Sequence, residues 1–480
     1  MHDAGGAALR GGSSFSPERR AARQWLGLAL GVLLAAGLCA LAVVIGRMPP
    51  FDRFVTDPLF FKRCLVAHVN FALVAWFYSF TSALLFLMPG AAPSSPLARL
   101  SPAVAAVSVL LMIAGAAAPG AQPVLSNYVP TIDHGLFQSG QLLFGIAVLL
   151  SLADRRILRG GAEIGAEVPA AAAAGLRCAA AGLVLAAVTF AISWIEQTPG
   201  LAPDAHYELL FWGMGHVLQL VIAMVMVSVW VLLLTPILGE PPFSAAAARL
   251  LFLALFVPWL VSPLLALEGT SSPAYRAGHT QLMQWGIFPF VGIFLVLCTG
   301  AIRRAWRSGR IDSRTLADPR MAAFLVSAGL TLGGFVLGAM IRGSTTMVPA
   351  HYHASVGAVT VAFMAATPGL LGALGSSVGS ARLRRLAGAQ PLLYGAGMAL
   401  FAAGFALAGA HGMGRKAYGA EQAARTWAES VGLTVMGVGG FVAAAGGIVF
   451  LCLAVWAWRN GSGVSERAIA PLAVQGEVAQ

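Results

Sequence analysis

Charge is scarce in this chain. Charged side chains make up only 10% of its 480 residues, against about 25% in an ordinary soluble domain. That shortage excludes a soluble enzyme and a disordered chain, and no polar stretch is long enough to form a soluble domain. Cysteine is also sparse. Cys39, Cys64, Cys178, Cys298 and Cys452 are dispersed, each in or beside an apolar run. With no CxxC pair and no CxxCH signature, a disulfide scaffold, a copper–thiolate centre and a covalently attached haem are excluded. The five cysteines are expected to act as small lipid- or core-facing side chains. No cleavable leader is expected either. The first 24 residues are mostly polar and carry four arginines, and no cleavage site follows the first apolar run. An inverted repeat is missing as well, which argues against a transporter.

Apolar sequence is what the chain has in abundance: 58% of the residues, with a mean hydropathy of +0.80. A helix needs about 20 apolar residues to cross the hydrocarbon core. Apolar runs of that order, charge-free but for Glu208 at the edge of one, occupy residues 25–46, 64–88, 102–121, 134–153, 178–195, 208–234, 250–267, 279–302, 321–341, 350–375, 389–410 and 430–457. The runs are continuous rather than alternating, so helices and not barrel strands are expected. The fold class is therefore all-α and integral to the membrane, a twelve-transmembrane-helix bundle. Pro258 and Pro263 in the seventh run and Pro289 in the eighth are tolerated where neighbouring helices re-satisfy the backbone.

The net charge of +11 would suggest nucleic acid in a soluble protein. Here the basic residues sit mostly in short loops, so no nucleic-acid partner is expected. With the N-terminus in the cytoplasm, 21 of the 30 lysines and arginines fall in cytoplasmic segments, as the positive-inside rule requires. Residues 1–24 then form a cytoplasmic tail, 25–458 the membrane domain and 459–480 a second cytoplasmic tail. A bacterial-type inner membrane is the expected location.

Ionisable residues in a membrane are functional candidates by default. Apart from His2 in the tail, all the histidines fall at the outer ends of spans. His68 opens the second, His134 the fourth, His206 and His216 the sixth, His279 the eighth, and His351 and His353 the tenth; His411 follows the eleventh. His134, His206 and His411 fit ordinary interfacial hydrogen bonding. The rest, on several helices in one layer, suggest a shared cofactor plane near the periplasmic side. His351-Tyr352-His353 is the sharpest motif. Residues two apart on a helix point about 200° apart, so this pair cannot chelate one metal from a regular helix. It can give one axial ligand to each of two cofactors, and neutral imidazole is a standard haem ligand. His68 is the natural partner to complete a six-coordinate haem.

This pattern resembles the catalytic subunit of the haem-copper oxidase superfamily, which includes terminal oxidases and nitric oxide reductases. The resemblance covers roughly residues 20–458. It is carried by CLVAHVNFALVAWF (64–77), FWGMGHVLQL (211–220), HYHASVGAVTVAFMA (351–365) and LAGAHGMGRKAYG (407–419). It implies two non-covalent haems. His68 and His353 would ligate a low-spin haem, and His351 would be the proximal ligand of a high-spin haem. His216 would hold a second metal, copper or iron, on the open side of that haem. Arg415 and Lys416 would pair with haem propionates, as charge-assisted hydrogen bonds to carboxylates allow. The implied activity is electron transfer to oxygen. The electrons would come from an outer-side donor such as a cytochrome c or a copper- or haem-bearing second subunit.

The sequence also departs from the family. The seventh run, LLFLALFVPWLVSPLLAL, has no histidine pair, and the nearest histidine is His279. Val217, Leu218, Gln219 and Leu220 follow His216, with neither a carboxylate nor a phenol among them. Copper held by His216 and His279 alone has too few ligands for an ordinary closed site, so weak or absent copper is expected unless Gln219 or water fills the gap. The cytoplasmic half lacks the acids and lysine of a proton route, so pumping is not expected. Consumed protons would enter past the outer-side acids Asp133, Asp204, Glu208 and Glu268. Two alternatives stay open. One is a nitric oxide reductase relative, favoured by His68-x-Asn70. The other is a non-catalytic haem relay or gas sensor.

Overall fold

The computed structural model describes residues 16–89, 94–154, 157, 168–376, 381–416, 422, 424 and 426–460. His2 lies outside these residues, as do most of both expected tails. The helices are α1 (Pro17–Ile45), α2 (Pro58–Phe86), α3 (Pro96–Ala117), α4 (Gly135–Ser151), α5 (Ala170–Ile195) and α6 (Pro203–Leu238). They continue with α7 (Ala245–Leu267), α8 (Pro273–Arg307), α9 (Pro319–Ala339), α10 (Met347–Ala373), α11 (Ala381–Ala410) and α12 (Trp427–Asn460). Among the described residues, 11 helices are long and apolar enough to cross a membrane, which makes the chain an integral membrane protein. The sequence reading expected twelve. The exception is α4, with 17 residues, about 25 Å of helix against a core of about 30 Å. The expected run of 134–153 yields only this much helix because His134 is spent as the N-cap and Leu152 as the C-cap.

Several helices start well before their apolar cores. The side chains of Asp57 and Ser272 accept hydrogen bonds from the backbone N–H groups of Leu59 and Tyr275, with Pro58 and Pro273 as first helical residues. Polar caps and a first-turn proline start a helix, and an apolar window ignores them. The correction matters for the histidines. His68, His216 and His279 sit inside α2, α6 and α8 rather than opening them.

Two helices change their winding beside a proline. In α7 the backbone tightens to 3-10 form over Val257–Val261, around Pro258. In α8 it widens to π form over Leu282–Ile287, just before Pro289. Proline lacks an N–H and its ring clashes with the carbonyl one turn back, so the local winding gives way. A second π stretch, Asn70–Ala75 in α2, contains no proline. There the Asn70 side-chain amide donates to Val66 O at 2.9 Å and to Pro130 O at 2.7 Å.

The most apolar windows of α2, α6 and α10 are the most deeply buried, and those of α1 and α7 the least. The central helices thus carry His68, His216 and the His351/His353 pair. Large apolar side chains such as Leu38, Leu250, Trp285 and Val296 are exposed on the outer helices, as lipid-facing surface requires.

One feature outside the bundle was not foreseen. Gln122–Val124 (β1) and Thr131–Asp133 (β2) pair antiparallel, Gln122 opposite Asp133 and Val124 opposite Thr131. This hairpin is pinned to the helices through polar side chains. Thr131 Oγ1 donates to Gln141 Oε1 at 2.6 Å, and Gln141 Nε2 donates to Asn70 Oδ1 at 2.8 Å and to Pro130 O at 3.0 Å. Cys39 and Cys64, distant in the sequence, are neighbours between α1 and α2, both as free thiols.

Candidate haem and metal site

His351 and His353 leave α10 on different sides. The His351 ring lies against α9, where its Nδ1–H donates to Gly334 O at 2.7 Å, and near Phe288 of α8, 6.3 Å between ring centres. Gly338 makes room for it: a Cβ there would come within 2.8 Å of Nδ1. The His353 ring packs instead on Phe401 and Phe405 of α11, at 4.6 and 5.9 Å between centres, and its Nδ1–H donates to Pro349 O at 2.7 Å. The opposed geometry expected of the HxH spacing is what the helix shows.

On α2, the Nδ1–H of His68 donates to Ala36 O of α1 at 3.0 Å. His68 and His353 come from different helices and lie within electrostatic range of each other. His68, His351 and His353 therefore share one arrangement: Nδ1 spent on a backbone carbonyl, and Nε2 without a hydrogen-bond partner among the described residues. A carbonyl on one ring nitrogen fixes the tautomer and directs the other lone pair outward, the usual support of a metal-ligating histidine.

Arg415 and Lys416 differ from each other. Arg415 Nε is buried without a partner among the described residues. A buried N–H left unmade is costly, and a carboxylate would satisfy it. Lys416 is exposed and donates to Leu125 O at 2.8 Å, tying the turn to the hairpin. The sequence reading missed Arg47. It is buried at the end of α1, donates to Arg415 O at 2.8 Å, and holds its guanidinium 5.6 Å over the Phe405 ring. The signal for it was a lone arginine closing an otherwise apolar run. The open imidazoles and the unpaired Arg415 N–H fit two haems.

The second-metal residues are arranged differently. His216 and His279 approach to 5.9 Å between ring centres, and both are buried. Each Nδ1–H donates to the carbonyl one turn back, Trp212 O and Tyr275 O, at 2.7 Å. That makes each Nε2 an acceptor, and both are occupied. His216 Nε2 takes a hydrogen bond from the Tyr128 hydroxyl at 2.8 Å, and His279 Nε2 takes one from Ser262 Oγ at 2.8 Å. Ser262 belongs to α7, the helix expected to lack ligands. Gln219 Oε1 is buried without a partner among the described residues and is not joined to either ring. No group of three or more His, Cys, Asp or Glu side chains placed to hold a metal ion exists among the described residues. This donor set does not fit an ordinary second-metal site.

Tyr128 was not foreseen from the sequence. It sits in the hairpin loop with φ of 66°, a left-handed conformation rare for a side chain of its size. Its ring lies 4.6 Å from the His216 ring and edge-on to Trp212 at 5.7 Å. Burial pushes its phenol well above the ordinary range, the Glu208 carboxylate adds to this, and Arg415 opposes it. It is therefore a neutral hydroxyl donor. Glu208 also accepts from Asn127 N at 2.9 Å and from the Asn127 side-chain amide. The only sequence hint was Asn-Tyr between Pro123 and Pro130, a turn with no visible partner.

The remaining histidines have local roles. His134 caps α4 by accepting from Leu136 N at 3.3 Å, His206 meets the Gln197 amide at 3.3 Å, and exposed His411 donates to Leu407 O at 2.9 Å.

Compared with known proteins, the chain matches the family described as Cytochrome C and Quinol oxidase polypeptide I over residues 20–443. It is 29% identical over 349 residues to an uncharacterized protein of Aquifex aeolicus, covering 72% of this chain and 82% of that one. It is 26% identical over 397 residues to an uncharacterized protein of Rickettsia prowazekii, covering 72% of this chain and 76% of that one. Among solved structures it is similar to a heme-copper terminal oxidase dimer determined by cryo-electron microscopy. The TM-score is 0.76 at 16% identity, over 95% of this chain and 86% of that chain. At that identity the likeness concerns the fold.

Proposed function

The chain belongs to the Cytochrome C and Quinol oxidase polypeptide I family, and on that footing we propose that it is a two-haem membrane oxidoreductase that passes electrons to oxygen. The carrying observation is the common build of His68, His351 and His353, each with Nδ1 anchored to a carbonyl and Nε2 open. His68 and His353 would hold the low-spin haem and His351 the high-spin haem. Electron transfer and ligand binding are what such haems supply when bound.

The chain's own residues hold and orient. Gly334 O, Gly338 and Phe288 fix the His351 ring. Phe401 and Phe405 pack His353, and Arg47 and Arg415 supply positive charge on the outer side. Residues 25–458 act as one membrane domain that crosses twelve times, α4 included. Both termini face the cytoplasm of a bacterial inner membrane, and the donor is an outer-side cytochrome c or a copper- or haem-bearing second subunit. Consumed protons enter from the outer side and none are pumped.

The occupied His216 and His279 favour a second reading, a haem relay or gas sensor without turnover. A reduced-minus-oxidised spectrum of the purified protein, with and without carbon monoxide, tests the haem assignment. A six-coordinate spectrum plus a carbon monoxide-binding haem supports it, and a colourless protein refutes it. Oxygen consumption with reduced cytochrome c as donor then separates oxidase from sensor.

A further inference from the structure

We propose that Tyr128 and His216 form a metal-free hydroxyl–imidazole pair in place of a second metal, and that, with His216 on the open side of the His351 haem as the haem reading has it, this pair sets the polarity a diatomic ligand meets there. This rests on the haem reading above and deepens it.

The first argument is the count of lone pairs. A neutral imidazole has one acceptor nitrogen. With Nδ1–H given to Trp212 O, the remaining nitrogen of His216 is the one the Tyr128 hydroxyl uses at 2.8 Å. His279 is in the same position with Ser262. A metal would have to displace both hydroxyls and would then find only two imidazoles, where an enclosed transition-metal site needs a fuller ligand set.

The second argument is that the surroundings are built for the tyrosine. In Gly213-Met214-Gly215-His216 a Cβ on Gly215 would collide with the Tyr128 side chain, and one on Gly213 would crowd Tyr275 Oη at 2.9 Å and His279 Nε2 at 3.0 Å. The two glycines open the face of α6 on either side of the ligand-like histidine. The chain also sustains a left-handed backbone at Tyr128, and such a conformation persists only where the surroundings over-determine it. Glu208 holds Asn127, Ser126 Oγ donates to Val129 O at 2.9 Å, and Asn70 and Gln141 hold Pro130 from beneath. Polar anchors from α2, α4 and α6 thus converge on one loop that delivers one hydroxyl to one ring nitrogen.

The test uses the full-length protein in detergent. Metal content is measured as purified, and again after incubation with copper(II) sulfate and desalting. The reduced carbon monoxide complex is then examined by infrared spectroscopy in the native chain, Tyr128→Phe and Gly215→Ala. The pairing predicts iron fully accounted for by two haems, with copper and zinc substoichiometric before and after incubation. It also predicts a shifted C–O stretch in Tyr128→Phe with the low-spin spectrum unchanged. Gly215→Ala should give the same shift, because its methyl group expels the Tyr128 ring. One copper or one further iron per chain, lost in His216→Ala, overturns the proposal. An unshifted C–O stretch in both variants overturns it too. Where a variant fails to fold, the metal count of the native chain decides alone. A colourless preparation overturns both readings, whereas a normal low-spin spectrum with stoichiometric copper overturns this one only.

Discussion

The histidines of α2 and α10 and those of α6 and α8 are built alike on one side of the ring and differently on the other. All five candidate ligands give Nδ1–H to a backbone carbonyl, between 2.7 and 3.0 Å away. In His68, His351 and His353 the far nitrogen has no hydrogen-bond partner among the described residues; in His216 and His279 it is taken by a hydroxyl. The shared half presents a neutral acceptor in a fixed direction and relies on backbone alone, so side-chain substitution cannot remove it. The other half decides what the acceptor meets. The comparison teaches that the five rings share one anchor and that the partner of Nε2 is what distinguishes the two groups.

The largest effect expected to test that contrast is the loss of an open imidazole. His68→Ala should abolish the low-spin spectral signature outright, since His68 is the open imidazole proposed to share that haem with His353. His216→Ala should leave both haem spectra in place and alter only the carbon monoxide complex. A low-spin signature that survives in His68→Ala would remove the distinction between the groups, and haem loss in His216→Ala would do the same from the other side.

Those open histidines were legible in the sequence because their information is local. The HxH spacing fixes opposite directions by helix geometry alone, and the order of motifs along the chain suggests the roles proposed for them. Tyr128 was not legible. Its partner His216 is 88 residues away, the hairpin that carries it has two three-residue strands, and its conformation is one that sequence preference disfavours. Ser262 is not legible because its role needs a hydroxyl facing His279 across two helices, and in the sequence it is one serine in an apolar run. Helix starts were misplaced for another reason: the apolar window sees the lipid-facing middle of a helix and not the capped turns above it. Asn70 shows a mixed outcome. Its place two residues after His68 drew notice as a family signal, whereas in the structure it clamps the hairpin.

That clamp gives an intermediate test. Asn70→Leu removes hydrogen bonds to Val66 O and Pro130 O and leaves Gln141 Nε2 one acceptor short. A buried polar group left unpaired costs about 1–3 kcal/mol. Thermal stability in detergent should fall accordingly, and the carbon monoxide signature should change as the hairpin loosens. The low-spin spectrum should hold, because His68 keeps its own anchor on Ala36. A changed low-spin spectrum with an unaltered carbon monoxide complex would mean that the hairpin serves the wrong group.

The smallest effect separates the two cations that the sequence treated as one basic pair. Arg415 has a buried N–H with no partner among the described residues, next to a backbone carbonyl that already ties Arg47 into place. Lys416 is exposed and donates to Leu125 O. Removing a charged donor from a buried carboxylate contact typically costs about 1.5–3 kcal/mol, and an exposed charge contributes about 0–1 kcal/mol. Arg415→Leu should therefore weaken haem retention measurably, read as the haem-to-protein absorbance ratio after prolonged washing in detergent. Lys416→Ala should leave that ratio within error and cost only a slight loss of thermal stability, through the hairpin contact it makes. Equal haem loss in both variants would restore the symmetric pair read from the sequence. A larger loss in Lys416→Ala would mean that the side chain reaches a propionate in the loaded protein, and that the hydrogen bond to Leu125 gives way when it does.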